Sequence, residues 1–492
     1  MLIDALLSTF APFTFLFLAI GVLSGIVVGA IPGLSGSMLI ALSVPLTYHM
    51  TSGNAVALLV AMYVGSIAGG LISATLLRMP GTPSAVVTTL DGYPMAKAGQ
   101  PHRALALGIS ASFAGGLIAW VALALLSRPL SVLALHLTAF NFFALVMTAI
   151  VLIASIGGRD VIKGLIAGFL GMLLSMPGVD PSIGQLRLTF GVPDLANGFQ
   201  LLPVLVGAFA ISQILKDTLE VGRATGTALD SRGRLFLPLR VWRRNASNMA
   251  RSSLIGTLIG ILPGVGAAVG SMIAYAAAKF SSKEPERFGT GHEAGVIAAE
   301  AGNSSTVGGA LIPLVALGIP GSVIDAILIG ALMIHQIQPG PMLFTRHPDI
   351  VWGLIAANLV ATVLMFIFLV LLTPTIARLA QIRPGTLLPV IFVLCVAGTF
   401  ALGNSFFDVW VMLAFGALGF IMERAGFSLG PFVIGFVLAP VAEQNLRQGL
   451  MISNGDVSPL FTDPLSLCLL TLSLVLLVWP FLRGRKFQKK HG

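Results

Sequence analysis

The chain carries no charged side chain between Asp4 and Arg78. A soluble domain cannot present so long an uncharged stretch to water, whereas a membrane-spanning helix needs about 20 apolar residues, so up to three crossings fit here. Over the whole chain 10% of the residues are charged and 56% are hydrophobic. These proportions exclude a soluble globular protein, a disordered chain and a disulfide scaffold. Further charge-poor runs follow, and we predict an all-α, polytopic membrane protein with about 10 to 14 membrane segments.

Basic residues are concentrated in two segments outside the apolar runs. Segment 216–251 holds eight Lys or Arg and three acidic residues, and tail 483–492 holds five Lys or Arg and no acidic residue. The positive-inside rule predicts that both are cytoplasmic. The first residues carry no Lys or Arg, so we expect no cleaved signal peptide. We predict a first membrane repeat at 1–215, the basic loop, a second repeat with C-terminal spans at 252–482, and the basic tail.

Two Gly/Pro motifs occur in the same order in both halves of the chain. Residues 25–33 read GIVVGAIPG and residues 256–264 read GTLIGILPG, at an offset of 231. Residues 69–81 read GGLISATLLRMPG and residues 309–321 read GALIPLVALGIPG, at an offset of 240. The order and spacing indicate a duplication. The first copy follows a start without basic residues and the second follows the most basic loop, so we predict inverted repeats.

Each motif places Pro-Gly inside an apolar segment, where the pair breaks a helix, either in a broken through-span or in a re-entrant hairpin. Broken backbone is tolerated in a bilayer only where protein, water, an ion or a ligand supplies hydrogen-bond partners. Half-helix N-termini suit a carboxylate, and unwound carbonyls suit Na⁺. A structural kink with satisfied hydroxyls is the alternative. The predicted substrate-binding residues at the breaks are Pro32, Gly33, Leu34, Ser35, Pro80, Gly81, Thr82, Pro263, Gly264, Pro320, Gly321 and Ser322.

The most polar stretch beside a break is 300–306, which reads EAGNSST. Asp325 lies in an otherwise apolar segment, where an acid is costly and usually functional. Helix capping or a pairing at a helix end is the alternative for both. Arg78, just before Pro80, is a candidate contact for an anionic substrate or a side chain that snorkels to the interface. The predicted cation-binding residues are Glu300, Asn303, Ser304, Ser305 and Asp325, with Na⁺ near Asn303.

Enzyme chemistry has little support in the sequence. The chain contains no H-E-x-x-H and no G-x-x-x-x-G-K-[ST] motif, and its two cysteines, in apolar runs, cannot build a disulfide or metal framework. We predict that the chain is not an enzyme and has no cofactor beyond a coupling ion. An intramembrane enzyme, such as a protease, is the alternative.

Long motifs across the chain resemble the large permease subunit of the tripartite tricarboxylate transporter family, the TctA type. They include GIVVGAIPGLSGSMLIALSVPLT, RMPGTPSAVVTTLDGYPMAKAGQPHRAL and FGTGHEAGVIAAEAGNSSTVGGALIPLVALGIPGS, and the resemblance extends from about Gly21 to Leu450. The residues that match family motifs are Pro32, Gly33 and Leu34; Pro80, Gly81 and Thr82; Asp91, Gly92, Tyr93 and Pro94; Glu300 and Asn303; and Gly318 to Ser322.

The resemblance implies a secondary active transporter subunit in the bacterial inner membrane that imports tricarboxylates or dicarboxylates with cation coupling. It also implies two partners, a small four-span membrane subunit and a periplasmic solute-binding protein. Because the basic residues cluster between apolar runs, we expect them to fix the topology and contact anionic lipid rather than bind nucleic acid. Proton coupling through Asp325 or Glu300 is the alternative to Na⁺, and a proton-coupled carrier of another small organic anion is the alternative function. Where the family often has two asparagines this chain has Asn303-Ser304, and where it often has Asn this chain has Arg78. These departures leave the substrate and the ion ligands open.

Overall fold

A computed structural model describes residues 1–156, 160–180, 184–219, 235–379 and 384–488. These residues are mainly helical, with a two-stranded ribbon of β1 (Gly178–Val179) and β2 (Leu186–Arg187). The predicted all-α class is therefore confirmed. The helices are α1 (Leu2–Thr9), α2 (Pro12–Ala30), α3 (Gly36–Thr47), α4 (Ser52–Leu76), α5 (Thr88–Lys97), α6 (Pro101–Ala134), α7 (Ala139–Ile156), α8 (Val161–Leu174), α9 (Leu201–Val206), α10 (Ser212–Leu219), α11 (Leu239–Ile261), α12 (Gly266–Phe280), α13 (Glu293–Leu317), α14 (Val323–Ile334), α15 (Leu343–Arg346), α16 (Pro348–Leu379), α17 (Pro384–Gly403), α18 (Phe406–Arg424), α19 (Leu429–Ile452), α20 (Pro459–Thr462) and α21 (Pro464–Gln488).

Among the described residues, seven helical segments are long and apolar enough to cross a membrane. They are α2, α4, α6, the segment Leu201–Leu219, α16, α18 and α19. Six shorter apolar helices accompany them, which confirms a polytopic membrane protein. The segment Leu201–Leu219 contains a π-helical turn at Gly207–Ile211 between α9 and α10. Helix α4 is buried along its whole apolar window, so it forms the centre of the fold rather than a lipid-facing wall.

Helices α2 and α4 pack side by side because glycines in α2 let the backbones approach closely. A Cβ at Gly25 would lie 2.5 Å from the carbonyl oxygen of Met62, and a Cβ at Gly29 would press on the carbonyl of Ser66. Residue numbers rise together along the two helices, which therefore run parallel.

Helix α3, which connects these parallel helices, must run backwards. The Thr14 hydroxyl near the start of α2 hydrogen-bonds to the Asn54 carboxamide oxygen near the start of α4, at 2.8 Å. The chain therefore returns along the length of α2 before α4 begins. The break at Pro32-Gly33 is thus the tip of a helical hairpin, and Gly33 adopts a φ of +93° there.

The second half of the chain makes the same contacts. Gly256 in α11 packs on the backbone of Gly302 in α13, and a Cβ at Gly260 would lie 2.6 Å from the carbonyl oxygen of Thr306. Gly256 and Gly260 lie 231 residues after Gly25 and Gly29 of α2. Their partners in α13 lie 240 residues after Met62 and Ser66 of α4. Helix α12 returns between α11 and α13 as α3 does between α2 and α4.

The second break of each half docks against the first. A Cβ at Gly81 would meet the carbonyl oxygen of Gly29, and one at Gly321 would lie 2.8 Å from that of Gly260. We call residues 12–97 the first copy and residues 239–335 the second copy. In each copy a pair of parallel helices encloses a hairpin, and the next break folds back onto that hairpin.

The central helices of the two copies run in opposite directions. The Asn303 carboxamide in α13 donates to the Ile67 carbonyl of α4 at 3.3 Å, whereas Leu314 borders the same small apolar void as Leu59. Residue numbers thus rise along α13 as they fall along α4. Inverted repeats require this relation, and their orientation across the bilayer stays a prediction.

Part of the predicted basic loop, residues 220–234, and the end of the basic tail, residues 489–492, lie outside the described residues. Helix α11 begins at Leu239, so the last third of the predicted loop is helical. The division into repeats at 1–215 and 252–482 stays a prediction.

Candidate functional site

All four predicted breaks border one cavity of about 390 Å³. The cavity lies beside the middle of α4, which places it deep in the fold. The lining residues from the breaks and the helices that follow them are Ser35, Gly36, Ser37, Thr82, Pro83, Ser84, Gly264, Val265, Gly266, Ala267, Ala268, Ser322, Val323 and Ile324. The other lining residues are Tyr63, Ser66, Ile67, Ile153, Phe209, Ser212, Gln213, Glu423, Ser428, Leu429, Gly430 and Pro431.

The N-terminal ends of α3, α12, α14 and α19 meet at this cavity. Ser35 caps α3 by accepting from the Met38 N–H at 3.1 Å. Ser322 caps α14 by accepting from the Asp325 N–H at 3.4 Å, and Ser428 precedes α19. Each helix N-terminus carries an effective charge of roughly +0.5 and unpaired N–H donors. The backbone itself therefore makes this cavity attractive to an anion.

Charged side chains contribute little to the positive potential that these helix N-termini create in the cavity. Of the described residues that line the cavity, Glu423 bears a charge, and the Lys216 ammonium lies 3.6 Å from its carboxylate. Both side chains are partly exposed, so this ion pair lies where the cavity approaches the protein surface. An anion in the cavity would be held by N–H groups and hydroxyls rather than by Lys or Arg.

The hydroxyls of the first copy stand in pairs. The oxygens of Ser35 and Ser37 are 3.0 Å apart, and those of Thr82 and Ser84 are 3.1 Å apart. A hydroxyl can donate to an oxyanion or ligate a cation. The two pairs thus supply four adaptable polar groups to the lining of the cavity.

One hydrogen bond joins the two copies directly at the cavity. The Tyr63 hydroxyl in α4 lies 2.9 Å from the Ser322 hydroxyl at the start of α14. Asp325, one turn into α14, is fully buried next to both hydroxyls. Neither of its carboxylate oxygens has a hydrogen-bond partner among the described residues. A buried carboxylate in this state is costly unless it binds a proton or a cation.

Glu300, in contrast, is held by hydroxyls away from the cavity. Its carboxylate accepts from the Thr88 hydroxyl of α5 and, at 3.1 Å, from the Ser112 hydroxyl of α6. The side chain is fully buried. Glu300 therefore links three helices, and the structure does not bring it to the cavity lining.

Of the remaining predicted cation ligands, Asn303 lies one layer behind the cavity. The Asn303 carboxamide donates to the Ile67 carbonyl, and Ile67 lines the cavity. The Asn303 Oδ1 and Ser304 Oγ atoms are buried without a hydrogen-bond partner among the described residues, whereas Ser305 bonds to the Gly302 carbonyl at 3.2 Å. An unpaired, buried carboxamide or hydroxyl oxygen can accept from a donor or ligate a cation.

Several predicted substrate residues shape the breaks without lining the cavity. Arg78 is exposed, adopts a φ of +58°, and places its guanidinium 5.7 Å from the centre of the Tyr93 ring. The structure therefore does not bring Arg78 to the cavity. The others outside the lining are Pro32, Gly33, Leu34, Pro80, Gly81, Pro263, Pro320 and Gly321.

Of the 26 described residues that line the cavity, sequence reasoning selected four as site residues, namely Ser35, Thr82, Gly264 and Ser322. Tyr63 is a phenol in a wholly buried helix, and such a hydroxyl needs a partner, which is a signal that points to a polar site. Ser428 precedes Leu-Gly-Pro and could have been read as a helix cap at a further break. Phe209, Ser212 and Gln213 follow from the π-helical turn, which no local sequence feature announces.

Asp91, in the D-G-Y-P motif, links the two copies through hydrogen bonds. One carboxylate oxygen accepts from the N–H groups of Gly289, Gly291 and His292, at 2.9, 2.8 and 2.8 Å. The other accepts from the Tyr275 hydroxyl at 2.8 Å. This motif therefore fixes the loop before α13 rather than contributing to the cavity.

Comparison with known proteins matches this architecture to a family. The model of the Tripartite tricarboxylate transporter TctA family matches residues 15–434. An uncharacterised 52.8 kDa protein in the TAR-I ttuC′ 3′ region of Agrobacterium vitis is 32% identical over 95% of this chain and 93% of its own length. An uncharacterised protein in the TAR-II ttuC′ 3′ region of the same organism is 34% identical over 44% of this chain and 91% of its own length. No solved structure is significantly similar. The chain therefore belongs to the tripartite tricarboxylate transporter TctA family, as the resemblance of its motifs predicted, and is a membrane component of tricarboxylate transport.

Proposed function

We propose that this chain is the carrier subunit of a cation-coupled carboxylate importer and that the cavity is its substrate site. The observation that carries the proposal is the convergence of four broken-helix segments, two from each copy, on one cavity. Broken backbone deep in a membrane protein is costly unless something supplies partners. A small organic anion fits that requirement, because the exposed groups are mainly N–H donors and hydroxyls.

The substrate is a tricarboxylate or a dicarboxylate. One carboxylate lies at the paired N-termini of α3 and α14, where Ser35 and Ser322 add hydroxyl donors. A second reaches the hydroxyls of Thr82 and Ser84, which also line the cavity. No Lys or Arg among the described residues lines the cavity, so a co-transported cation offsets the remaining negative charge.

The coupling cation is Na⁺, held near Asn303. Its candidate ligands are the unpaired Oδ1 of Asn303, the unpaired Oγ of Ser304 and nearby backbone carbonyls. Asp325 is a second candidate, because its carboxylate is buried beside two hydroxyls that line the cavity. The alternative is a proton on Asp325; Glu300 already has two hydroxyl donors and suits that role less well.

Transport proceeds by alternating access. The bundle that carries the break tips moves against the surrounding helices and exposes the cavity to one side of the membrane at a time. We place the chain in the bacterial inner membrane, with segment 216–251 and the C-terminal tail in the cytoplasm. A small four-span subunit and a periplasmic solute-binding protein complete the system, and the solute-binding protein delivers the carboxylate.

Counterflow in proteoliposomes tests the proposal. The chain is reconstituted with its two partner subunits, loaded with unlabelled citrate, and supplied with labelled citrate or dicarboxylate outside, with Na⁺, K⁺ or a pH gradient. Accumulation of label that needs the chain supports a carrier, and dependence on Na⁺ rather than on pH identifies the coupling ion. Liposomes without this chain are the control. Absence of exchange for every carboxylate and every gradient would refute the carrier.

A further inference from the structure

A second cavity, of about 800 Å³, lies at the opposite ends of the helices that form the first. Helices α3 and α14 begin at the first cavity, and each is 12 residues long, or about 18 Å. Tyr48, which follows α3, and Met333 and Ile334, which end α14, line the second cavity. The segment Leu201–Leu219 likewise runs from the second cavity to the first. The helices α3 and α14 and the segment Leu201–Leu219 therefore each extend from one cavity to the other.

The second cavity contains a buried carboxylate that the described structure leaves uncompensated. Asp408 lines it and is 9% exposed. No described residue donates a hydrogen bond to its side chain or forms an ion pair with it. Asp194, which lines the same cavity, lies close enough for its negative charge to repel that of Asp408. A buried carboxylate beside a second negative charge is unfavourable unless it binds a proton or a cation.

The surroundings of Asp408 offer oxygen atoms and no basic side chain among the described residues. Asn197, Gln200 and Thr399 bring carboxamide and hydroxyl groups to the lining. Gly403 lies next to Asp408, so closely that a Cβ at Gly403 would press on the Asp408 carboxylate. Because Gly403 has no side chain, its backbone is uncovered beside the acid. Carboxylate, carboxamide, hydroxyl and backbone carbonyl oxygens are the ligands that hard cations prefer.

We propose that Asp408 and Asp194 bind a hard cation, Na⁺ or a divalent ion, in the second cavity. No cluster of three or more His, Cys, Asp or Glu side chains occurs in the described ranges, so neutral oxygens and water complete the coordination. The site is separate from the Asn303 region and does not depend on the proposed substrate. Under the predicted topology the first cavity approaches the cytoplasm at Lys216, and the second therefore faces the periplasm.

The test measures cation binding rather than transport, so its failure is distinguishable from failure of the carboxylate proposal. The purified full-length chain in lipid nanodiscs is titrated with NaCl, CaCl₂ or MgCl₂ against choline chloride at equal ionic strength. Thermal unfolding and calorimetry report binding. We expect one of these cations to raise the unfolding temperature saturably, and the three arms identify a monovalent or a divalent ion. No stabilisation by any of them beyond that of choline would overturn the proposal.

Variants locate the site. In an Asn303→Ala background, which removes the Na⁺ site proposed in the second copy, Asp408→Asn should abolish the saturable response, and Asp194→Asn should weaken the apparent affinity at least tenfold. Asp349→Asn is the matched control, because Asp349 also lies in the first turn of a long helix but is exposed and outside the cavity; it should bind as the wild type does. If Asp408→Asn does not fold, the cation affinity of Asp194→Asn tests the proposal, because Asp194 is exposed. Wild-type cation affinity in Asp408→Asn, or in Asp194→Asn, would overturn the proposal.

Discussion

The two copies share the same helix packing but differ in their buried acidic residues. Glycines at matching positions bring α2 onto α4 and α11 onto α13, and each second break docks on the first. The buried carboxylates, however, do not match: the second copy has Glu300 and Asp325 where the first copy has Val60 and Ala85 at the offset of 240, and the first copy's buried Asp91 corresponds to Ala331. The packing that places the breaks is thus duplicated, whereas the chemistry of buried charge is not.

The same asymmetry separates Tyr63 from Asn303, which occupy equivalent positions in α4 and α13. Tyr63 lines the cavity and bonds to Ser322, whereas Asn303 lies behind it with an unpaired carboxamide oxygen. We infer a division of labour in which the first copy supplies most of the hydroxyls to the substrate and the second supplies ligands to the coupling ion. Substitutions at equivalent positions test that division.

The largest effect is expected from Asp325→Asn. The substitution keeps the shape of the side chain but removes the charge of the buried, unpaired carboxylate beside the cavity. We expect cation-dependent uptake to fall at least 100-fold, which corresponds to about 2.7 kcal/mol, while the protein stays folded. Uptake in proteoliposomes and thermal unfolding measure the two effects. Near wild-type uptake would show that Asp325 only caps α14.

Glu300→Gln is the contrasting substitution in the same copy. Because the Thr88 and Ser112 hydroxyls donate to the Glu300 carboxylate, a neutral carboxamide there would lose one acceptor and leave a donor unpaired. We expect a loss of stability of about 1–3 kcal/mol and retained cation dependence in the protein that folds. Lost cation dependence with unchanged stability would assign Glu300, rather than Asp325, to coupling.

Much of this arrangement could be predicted from sequence. Pro-Gly in an apolar run predicts a break in a helix, so the sequence predicts the four breaks. Their matched spacing predicts that they form two equivalent pairs. Arg78 shows the limit of such reasoning, since nothing in its local sequence indicates that it contacts Tyr93 on the surface. The contributions of α10, α18 and α19 to the cavity were also missed, because they depend on how distant helices pack.

The hairpin form of the breaks could not be predicted either. Pro32-Gly33 is equally compatible with a kinked through-span and with a reversal of the chain. The reversal follows from the parallel packing of α2 and α4, which depends on contacts between Gly25 and Met62. Sequence indicates which residues are small, but not which helix they will face.

Asn303→Ala and Tyr63→Phe compare equivalent positions in the two copies. Asn303→Ala removes the unpaired Oδ1, so we expect the Na⁺ concentration for half-maximal uptake to rise about tenfold, or about 1.4 kcal/mol. Tyr63→Phe removes the hydroxyl that bonds to Ser322, so the concentration of carboxylate for half-maximal uptake should rise by a similar factor with little change for Na⁺. Identical effects of both substitutions on Na⁺ would end the proposed division between the copies.

The smallest effects are expected from Ser322→Ala and Thr82→Ala, the equivalent residues that open the second breaks. Ser322 caps α14 and bonds to Tyr63, whereas the Thr82 hydroxyl bonds to Ser84 and caps no helix. Loss of a cap costs about 1 kcal/mol, so Ser322→Ala should lower the unfolding temperature more than Thr82→Ala does. Both substitutions remove a cavity hydroxyl and should weaken carboxylate uptake several-fold in transport assays at fixed Na⁺. If Thr82→Ala leaves uptake unchanged while Ser322→Ala reduces it, the carboxylate is held by the second copy's break alone, and the first copy's hydroxyls serve only to fill the wall.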